Sequence, residues 1–291
     1  MPLVSIGLPV RNGAARIPAV AESVLAQDHS DLELMITDNA STDDTEDVCR
    51  ELAAADSRIR YHRHPENLGI LGNFQSAMRL AKGEFFRWVS DDDRLEPHCV
   101  SRSLEVFAED DRLILVTAQL AYTGEDGVTR SAVYDGTALR SADPMERFTE
   151  MLRMLTASHL LIDPLYGVFR RAPAAAIERR NMLREDEVFA TKLALAGPWG
   201  HVPEVLGHRN WKSESPSILA RRLEVPAWTA HLATTLQCRE MLRWLDTPES
   251  GLTGRQRRQG RAAVRDMWLR RQQAVAARRV RKVGRVVTGR A

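Results

Sequence analysis

Short apolar runs alternate with amphipathic stretches through the first hundred residues. Leu3-Val4-Ser5-Ile6-Gly7-Leu8-Pro9-Val10 reads as a buried strand that ends in a loop at Arg11-Asn12-Gly13. Ile17, Val20, Val24 and Leu25 fall at helical spacing and predict a helix over 17–27. Residues 32–37 form a second predicted strand, and 43–55 a second helix with Ser41 and Thr42 as candidate caps. A third strand is expected at 59–62, and a helix over 71–80 leads into a strand over 84–89. Strands alternating with helices of this length imply βαβ crossovers and a parallel sheet, an α/β fold class. Ligands bind outside the carboxyl ends of the strands in such sheets. The expected site positions are therefore 9–12, 38–41 and 90–94.

The pattern changes after residue 110. Residues 113–122, a turn at Gly124-Glu125-Asp126-Gly127, and 128–134 resemble a hairpin. Asp143-Pro144 pairs a cap with proline at the first helical position and opens a helix to about residue 155. Residues 160–170 read as partly extended and 186–196 as helical. Residues 216–245 read as one helix, and a second runs from 255 to about 283, with Val264, Met267, Trp268, Val275 and Val283 near one stripe.

Charge alters this picture more than composition does. The 291 residues carry 41 Lys+Arg and 39 Asp+Glu, a formal net of +2. From Gly251 onward, however, 13 bases face one acid, Asp266, so an acidic body carries a strongly basic tail. A basic amphipathic helix suits an anionic membrane surface over 255–283. It also suits packing on the acidic body; nucleic acid ranks last and is not expected as a partner, because Trp268 stands alone as a stacking aromatic. No apolar run approaches the roughly 18 residues of a spanning helix, and the start Met1-Pro2-Leu3-Val4-Ser5 lacks the features of a secretory signal. Three scattered cysteines, Cys49, Cys99 and Cys238, argue against a disulfide framework or a cysteine zinc site. The expected location is cytoplasmic, at the inner face of the cell membrane if the tail docks there. Self-association as a homodimer stays open.

The strongest chemical feature is Ser90-Asp91-Asp92-Asp93 at a predicted strand end. Three adjacent carboxylates repel one another unless a cation or hydrogen-bond donors compensate. Mg²⁺ or Mn²⁺ takes such hard oxygen ligands and bridges to substrate phosphates; the other reading is an acidic turn capping the next helix. Asp38, at the mouth of the second strand, can accept a hydrogen bond from a base N–H or form an Asx turn.

Taken in order, several segments resemble family 2 glycosyltransferases. They are Val4-Ser5-Ile6-Gly7-Leu8-Pro9-Val10-Arg11-Asn12-Gly13, Ser23-Val24-Leu25-Ala26-Gln27 and Glu33-Leu34-Met35-Ile36-Thr37-Asp38-Asn39-Ala40-Ser41-Thr42-Asp43. Asn67-Leu68-Gly69, Ala81-Lys82-Gly83-Glu84-Phe85 and Val89-Ser90-Asp91-Asp92-Asp93-Arg94-Leu95-Glu96-Pro97 follow. The resemblance covers roughly 3–215 and is densest over 3–110. It implies an inverting, non-processive, metal-dependent transferase of the GT-A fold, a Rossmann-like, mostly parallel central sheet flanked by helices, here with a C-terminal helical extension. Residues 1–110 would form the nucleotide-sugar half, 111–215 the acceptor half and 216–291 the extension.

Carried over by residue, the resemblance implies that Asp38 holds the nucleobase and that Pro9 and Arg11 lie against the nucleotide, with Asn12, Asn39, Asn67 and Gly69 beside it. Asp91 would face the sugar and ribose, and Asp92 and Asp93 the divalent cation, Mn²⁺ or Mg²⁺, with Asp92 also touching the donor. Ser90 stands where many relatives carry the first Asp. Asp186 would be the general base, with Glu185 as substitute, although acids there also suit a helix N-terminus. Arg209 or His208 would contact the diphosphate, or Arg209 would pair with acids. The implied partners are a nucleotide-diphosphate sugar, UDP favoured, and a hydroxyl acceptor. Leu206 replaces the Gln of processive synthases, and Trp211 is one place late for their motif. Two alternatives are a sugar nucleotidyltransferase, for which 9–13 lacks the Gly-rich loop and Lys, and a non-enzymatic adaptor built on the tail. Deletion of 251–291 is expected to leave an enzyme some turnover.

Overall fold

A computed structural model of the chain describes residues 1–134, 136–158 and 160–288, with side chains in the last helix followed to residue 277. The expected alternation is present: β1 (Val4–Val10), α1 (Ile17–Leu25), β2 (Leu32–Asp38), α2 (Thr45–Ala55), β3 (Ile59–Arg63), α3 (Gly69–Leu80) and β4 (Phe85–Trp88). There follow β5 (Arg94–Leu95), α4 (Cys99–Glu109), β6 (Leu115–Thr123), β7 (Thr129–Arg130), α5 (Pro144–Ala157), β8 (Val168–Arg170) and α6 (Arg171–Ala175). The chain continues through α7 (Glu185–Ala196), β9 (Trp199–Asn210), α8 (Pro216–Arg222), α9 (Thr229–Leu245) and α10 (Gly254–Thr288).

Nine strands form one sheet in the order β3-β2-β1-β4-β8-β6-β9-β5, with β7 on β6. The first four are mutually parallel, and their register sets Val10 beside Asp38 and Asp38 beside Arg63. Every residue of β2 is buried, as a parallel strand covered on both faces requires. Val4, Ile6, Leu8 and Val10 pack with Ile17, Val24 and Cys99 on one face. Phe86 and Trp88 pack with Phe169 and Phe189 on the other. Gly7 is needed between these layers, because a Cβ there would lie 2.5 Å from the Phe86 ring.

Three expectations are corrected. The acids at 91–93 do not cap a helix: β5 intervenes and α4 starts only at Cys99. Ser41 and Thr42 do not cap α2 either; Asp43 Oδ1 accepts from the Thr45 amide at 3.2 Å, while the Ser41 hydroxyl turns to Asp38. Residues 216–245 are two helices, broken where Glu224 adopts φ 56° ahead of Val225-Pro226, a pair that disfavours helix. The hairpin is present as β6 against β7. The long parallel pairing of β6 with β9, interrupted by register shifts around Gln119, had no forecast. Val264 and Met267 of the basic helix are buried with Met241 and Trp244 of α9, Val188 of α7 and Phe148 of α5. Val275 is exposed, and Val283 lies outside the residues whose side chains are described. Among the described residues no helix is long and apolar enough to cross a membrane.

Candidate active site

The carboxyl ends of β1, β2 and β4 converge, and hydrogen bonds knit the loops that leave them. Asn12, in the left-handed region at φ 55°, receives Thr42 N on Oδ1 and donates its own N–H to Ser41 Oγ, both at 2.9 Å. Gly13 N donates to Thr45 Oγ1 at 2.9 Å. The β1 and β2 loops therefore hold each other, with Pro9 half-buried and Arg11 exposed at the rim.

Asp38 is fully buried, and both its oxygens are occupied. Oδ1 accepts from Ser41 N at 2.9 Å and Ser41 Oγ at 2.5 Å, and Oδ2 accepts from Tyr61 OH at 2.8 Å with Arg63 Nε 3.5 Å away. Burial and this carboxylate raise the Tyr61 phenol far above its usual range, so Tyr61 stays a donor. Asn39, Asn67 and Gly69 meet: Asn39 Nδ2 donates to Asn67 Oδ1 at 2.6 Å and to Gly69 O at 3.2 Å. Gly69 starts α3 at φ 73°, a conformation glycine adopts without strain.

The acidic turn divides into three different environments. Asp91 pairs with Arg16 of the β1 loop. Asp92 is exposed; its backbone carbonyl accepts from Asn210 Nδ2 at 3.1 Å, and its carboxylate makes no hydrogen bond among the described residues. Asp93 is buried, with Oδ2 accepting from Ser90 N at 2.9 Å and Oδ1 from Arg209 Nε at 3.1 Å. Burial raises its carboxyl while the Arg209 charge opposes the rise. Ser90, the substituted position, bonds Tyr166 OH at 2.8 Å.

Arg209 is the centre of this side. It lies on β9 opposite Tyr122 of β6, with its guanidinium carbon 3.4 Å from the Tyr166 ring centre. Besides Asp93 it pairs with Asp163 through Nη1 at 2.6 Å. Its acids are thus part of the site. Neighbouring His208 bonds Glu96 at 2.7 Å instead. Asp163 and Tyr166 carry no periodic signal and were missed by sequence reasoning; only Asp163-Pro164, a cap followed by proline, marks that turn.

Asp163, which pairs with Arg209, also bears on Asp186 through its negative charge. Asp186 lies in the first turn of α7 and lines a cavity of about 220 Å³ with Ile70, Phe74, Leu165, Arg222 and Leu223. It is open to solvent on one side and crowded by protein on the others. That crowding, then the negative charges of Glu187, Asp163 and Glu185, pushes its carboxyl up to about 7, and water on the open side moderates the rise. Glu185, the substitute candidate, is committed to Arg179 by two bonds of 2.7 and 2.6 Å. A larger hollow of about 590 Å³, beside Asp143, Glu146 and Glu150, holds none of these residues.

Among the described residues no cluster of three or more His, Cys, Asp or Glu is placed to hold a metal alone. The donor set still fits a hard cation, because Asp92 presents a carboxylate without a hydrogen bond next to Asp93. Mg²⁺-type ions are commonly held by one or two carboxylates, with substrate phosphates completing the shell.

The family model for Glycosyl transferase family 2 matches residues 5–175. The chain belongs to that family. Chondroitin synthase of Escherichia coli is 30% identical over 228 residues, covering 75% of this chain but only 30% of the relative. This family 2 chain thus spans under a third of that relative's length. Among solved structures, Staphylococcus aureus TarS 1–349 in complex with UDP-GlcNAc superposes with a TM-score of 0.65 at 17% identity, covering 91% of this chain and 72% of that one. The mannosyltransferase PcManGT of Pyrobaculum calidifontis, in complex with GDP-Man and Mn²⁺, gives 0.58 at 16% identity, covering 99% and 79%. The fold is GT-A, a mixed α/β architecture around a curled, mostly parallel sheet.

Proposed function

We propose that this family 2 chain transfers a single sugar from a nucleotide-diphosphate sugar, by preference a UDP-sugar, to an acceptor hydroxyl with inversion, in the synthesis of a surface glycan or glycoconjugate. The observation that carries the reading is Asp186: a carboxylate without a basic partner among the described residues, raised toward neutrality on a cavity wall, with Asp163, which pairs with Arg209, among the negative charges that raise it. Ionised Asp186 takes the acceptor proton as the hydroxyl oxygen bonds to the anomeric carbon. The bond from that carbon to the diphosphate breaks, and its electron pair leaves with the diphosphate. One carboxylate suffices, because no glycosyl-enzyme forms.

Asp38, Asn39, Asn67 and Gly69 frame the nucleoside, with Pro9, Arg11, Asn12 and Asp91 around the ribose and phosphates, and Arg209 faces the diphosphate. Mn²⁺ or Mg²⁺ held by Asp92 with Asp93 would supply charge neutralisation for the leaving group. In this reading 1–110 serves the donor, 111–215 the acceptor, and the basic helix over 255–283 meets an anionic membrane surface. The complexes of TarS with UDP-GlcNAc and of PcManGT with GDP-Man and Mn²⁺ support a nucleotide-sugar donor and a cation.

A thermal-shift screen of UDP-, GDP- and dTDP-sugars with Mn²⁺ and Mg²⁺ tests the donor side, because a ligand of the folded state raises the melting temperature. A shift with UDP-sugars that grows with metal is expected. No shift with any nucleotide sugar overturns the reading.

A further inference from the structure

Three acids open α7, and the protein treats them differently. Glu185 is gripped by Arg179. Glu187 is held from three sides: Oε1 receives Arg184 Nη1 at 2.8 Å, and Oε2 receives Gln237 Nε2 at 2.8 Å and Arg271 Nη2 at 2.6 Å. Asp186 between them pairs with no lysine or arginine among the described residues.

Arg271 comes from α10, inside the segment whose charge suggested a surface role. Its Nη1 also donates to Gln237 Oε1 at 2.6 Å, and its Nη2 to the Leu155 carbonyl at the end of α5 at 2.7 Å. One arginine thus ties α5, α7 and α9 together. Its side chain is 13% exposed, whereas that of Arg265 on the same helix is 72% exposed. Val264 and Met267, two turns and one turn earlier, are buried in the same cluster as Val188.

We propose that Arg271 is a positioning residue of the site: by clasping Glu187 with Gln237 and Arg184, it fixes the first turn of α7 and neutralises the acid next to Asp186. The inference rests on Asp186 as the proton acceptor. Without Arg271, Glu187 would keep Arg184 as a cationic partner on Oε1 but lose the one on Oε2, leaving it less firmly held and less neutralised beside Asp186 and making ionisation of Asp186 harder. The other charged groups around Asp186 are Glu185 on its own helix and Asp163 ahead of the Pro164–Tyr166 turn. Arg179 and Arg184 lie in the lead-in, and Arg222 comes from α8. The Lys192–Glu240 pair bridges α7 and α9, and Arg147 of α5 bonds the far end of α7.

The test is a carboxyl ¹³C NMR titration of the full chain labelled at aspartate, with the Asp186 signal identified by its loss in Asp186→Asn. Arg271→Met is expected to raise the Asp186 midpoint by about one pH unit, and Glu187→Gln to lower it. In the double variant the effect of Arg271→Met should vanish, because its target is gone. Arg271→Lys should restore part of the wild-type midpoint. Arg270→Met, which removes the same charge from the exposed neighbour, should leave it unmoved. An unchanged midpoint in Arg271→Met with a lowered melting temperature would mean a strut only, and overturns the proposal. An equal shift in the Glu187→Gln background overturns it too, since Arg271 would not be acting through Glu187. If Arg271→Met does not fold, Arg271→Lys and Glu187→Gln carry the same test. The base reading fails separately, by retained transfer in Asp186→Asn, an outcome the titration does not touch.

Discussion

Acids on the two sides of the site are held in opposite ways. On the proposed nucleotide side, Asp38 lies near Arg63, Asp91 pairs with Arg16 and Asp93 with Arg209. On the proposed acceptor side, Asp186 has neighbours of its own sign and no arginine partner among the described residues. Arginine next to a carboxylate favours its ionised form, and like charges with desolvation favour the protonated one. The difference separates carboxylates that serve as fixed charges from one poised to exchange a proton near neutral pH.

The sharpest way to break this contrast is Asp186→Asn. Transfer is expected to fall by about 10²–10⁴-fold, while a UDP-sugar still raises the melting temperature, and a kinetic assay with parallel thermal shifts separates the two. Full activity in this variant would sink the base assignment. Next comes Arg209→Met, which leaves buried Asp93 and half-buried Asp163 without their cation. Breaking such a pair costs about 3 kcal/mol of stability, measurable by urea unfolding, and donor affinity should fall with it.

The pH dependence has a definite sign. In its proposed role Asp186 works ionised, so kcat/KM should rise with pH toward about 7 and level off above it. Its carboxyl is raised in the folded state, so its ionisation opposes folding as pH climbs from the ordinary carboxylate range through about 7. Asp186→Asn should therefore melt higher than the natural protein at pH 8, with the gain shrinking at pH 5; calorimetry at both values checks this. The smallest effect belongs to Arg16→Ala. Its pair with Asp91 is half open to water, so stability should change by no more than about 1 kcal/mol, and only donor affinity is expected to respond.

Legibility in the sequence followed locality. The four parallel strands and their crossover helices could be read because β1, β2 and β4 are nearly continuous apolar runs and α1 keeps strict helical spacing. The strand ends then placed Asp38 and Asp91 on one edge without further information. What Asp93 and Asp186 meet could not be read. Arg209, the partner of Asp93, and Asp163, a like charge near Asp186, come from distant segments, and Arg209 is set by a β6–β9 pairing that runs through register shifts. The stripe of Val264 and Met267 was legible, and packing on the acidic body was one of its two readings; which elements it covers was not, because α5, α7 and α9 come from distant segments. Deleting 251–291 would uncover α5, α7 and α9 and remove Arg271, so the deletion is expected to lower stability as well as to remove charge. The break after α8, by contrast, was visible in Pro226.

The clasp on Glu187 also has a temporal side. A ribosome makes α7 first and Arg271 only 84 residues later, and the Leu155 carbonyl waits through 116. The parallel half of the sheet can order while the rest is still being made. The clasp on Glu187 cannot close until the basic helix has been synthesised and has docked. During synthesis, the parallel half of the sheet can therefore exist before the surroundings of the proposed proton acceptor are complete.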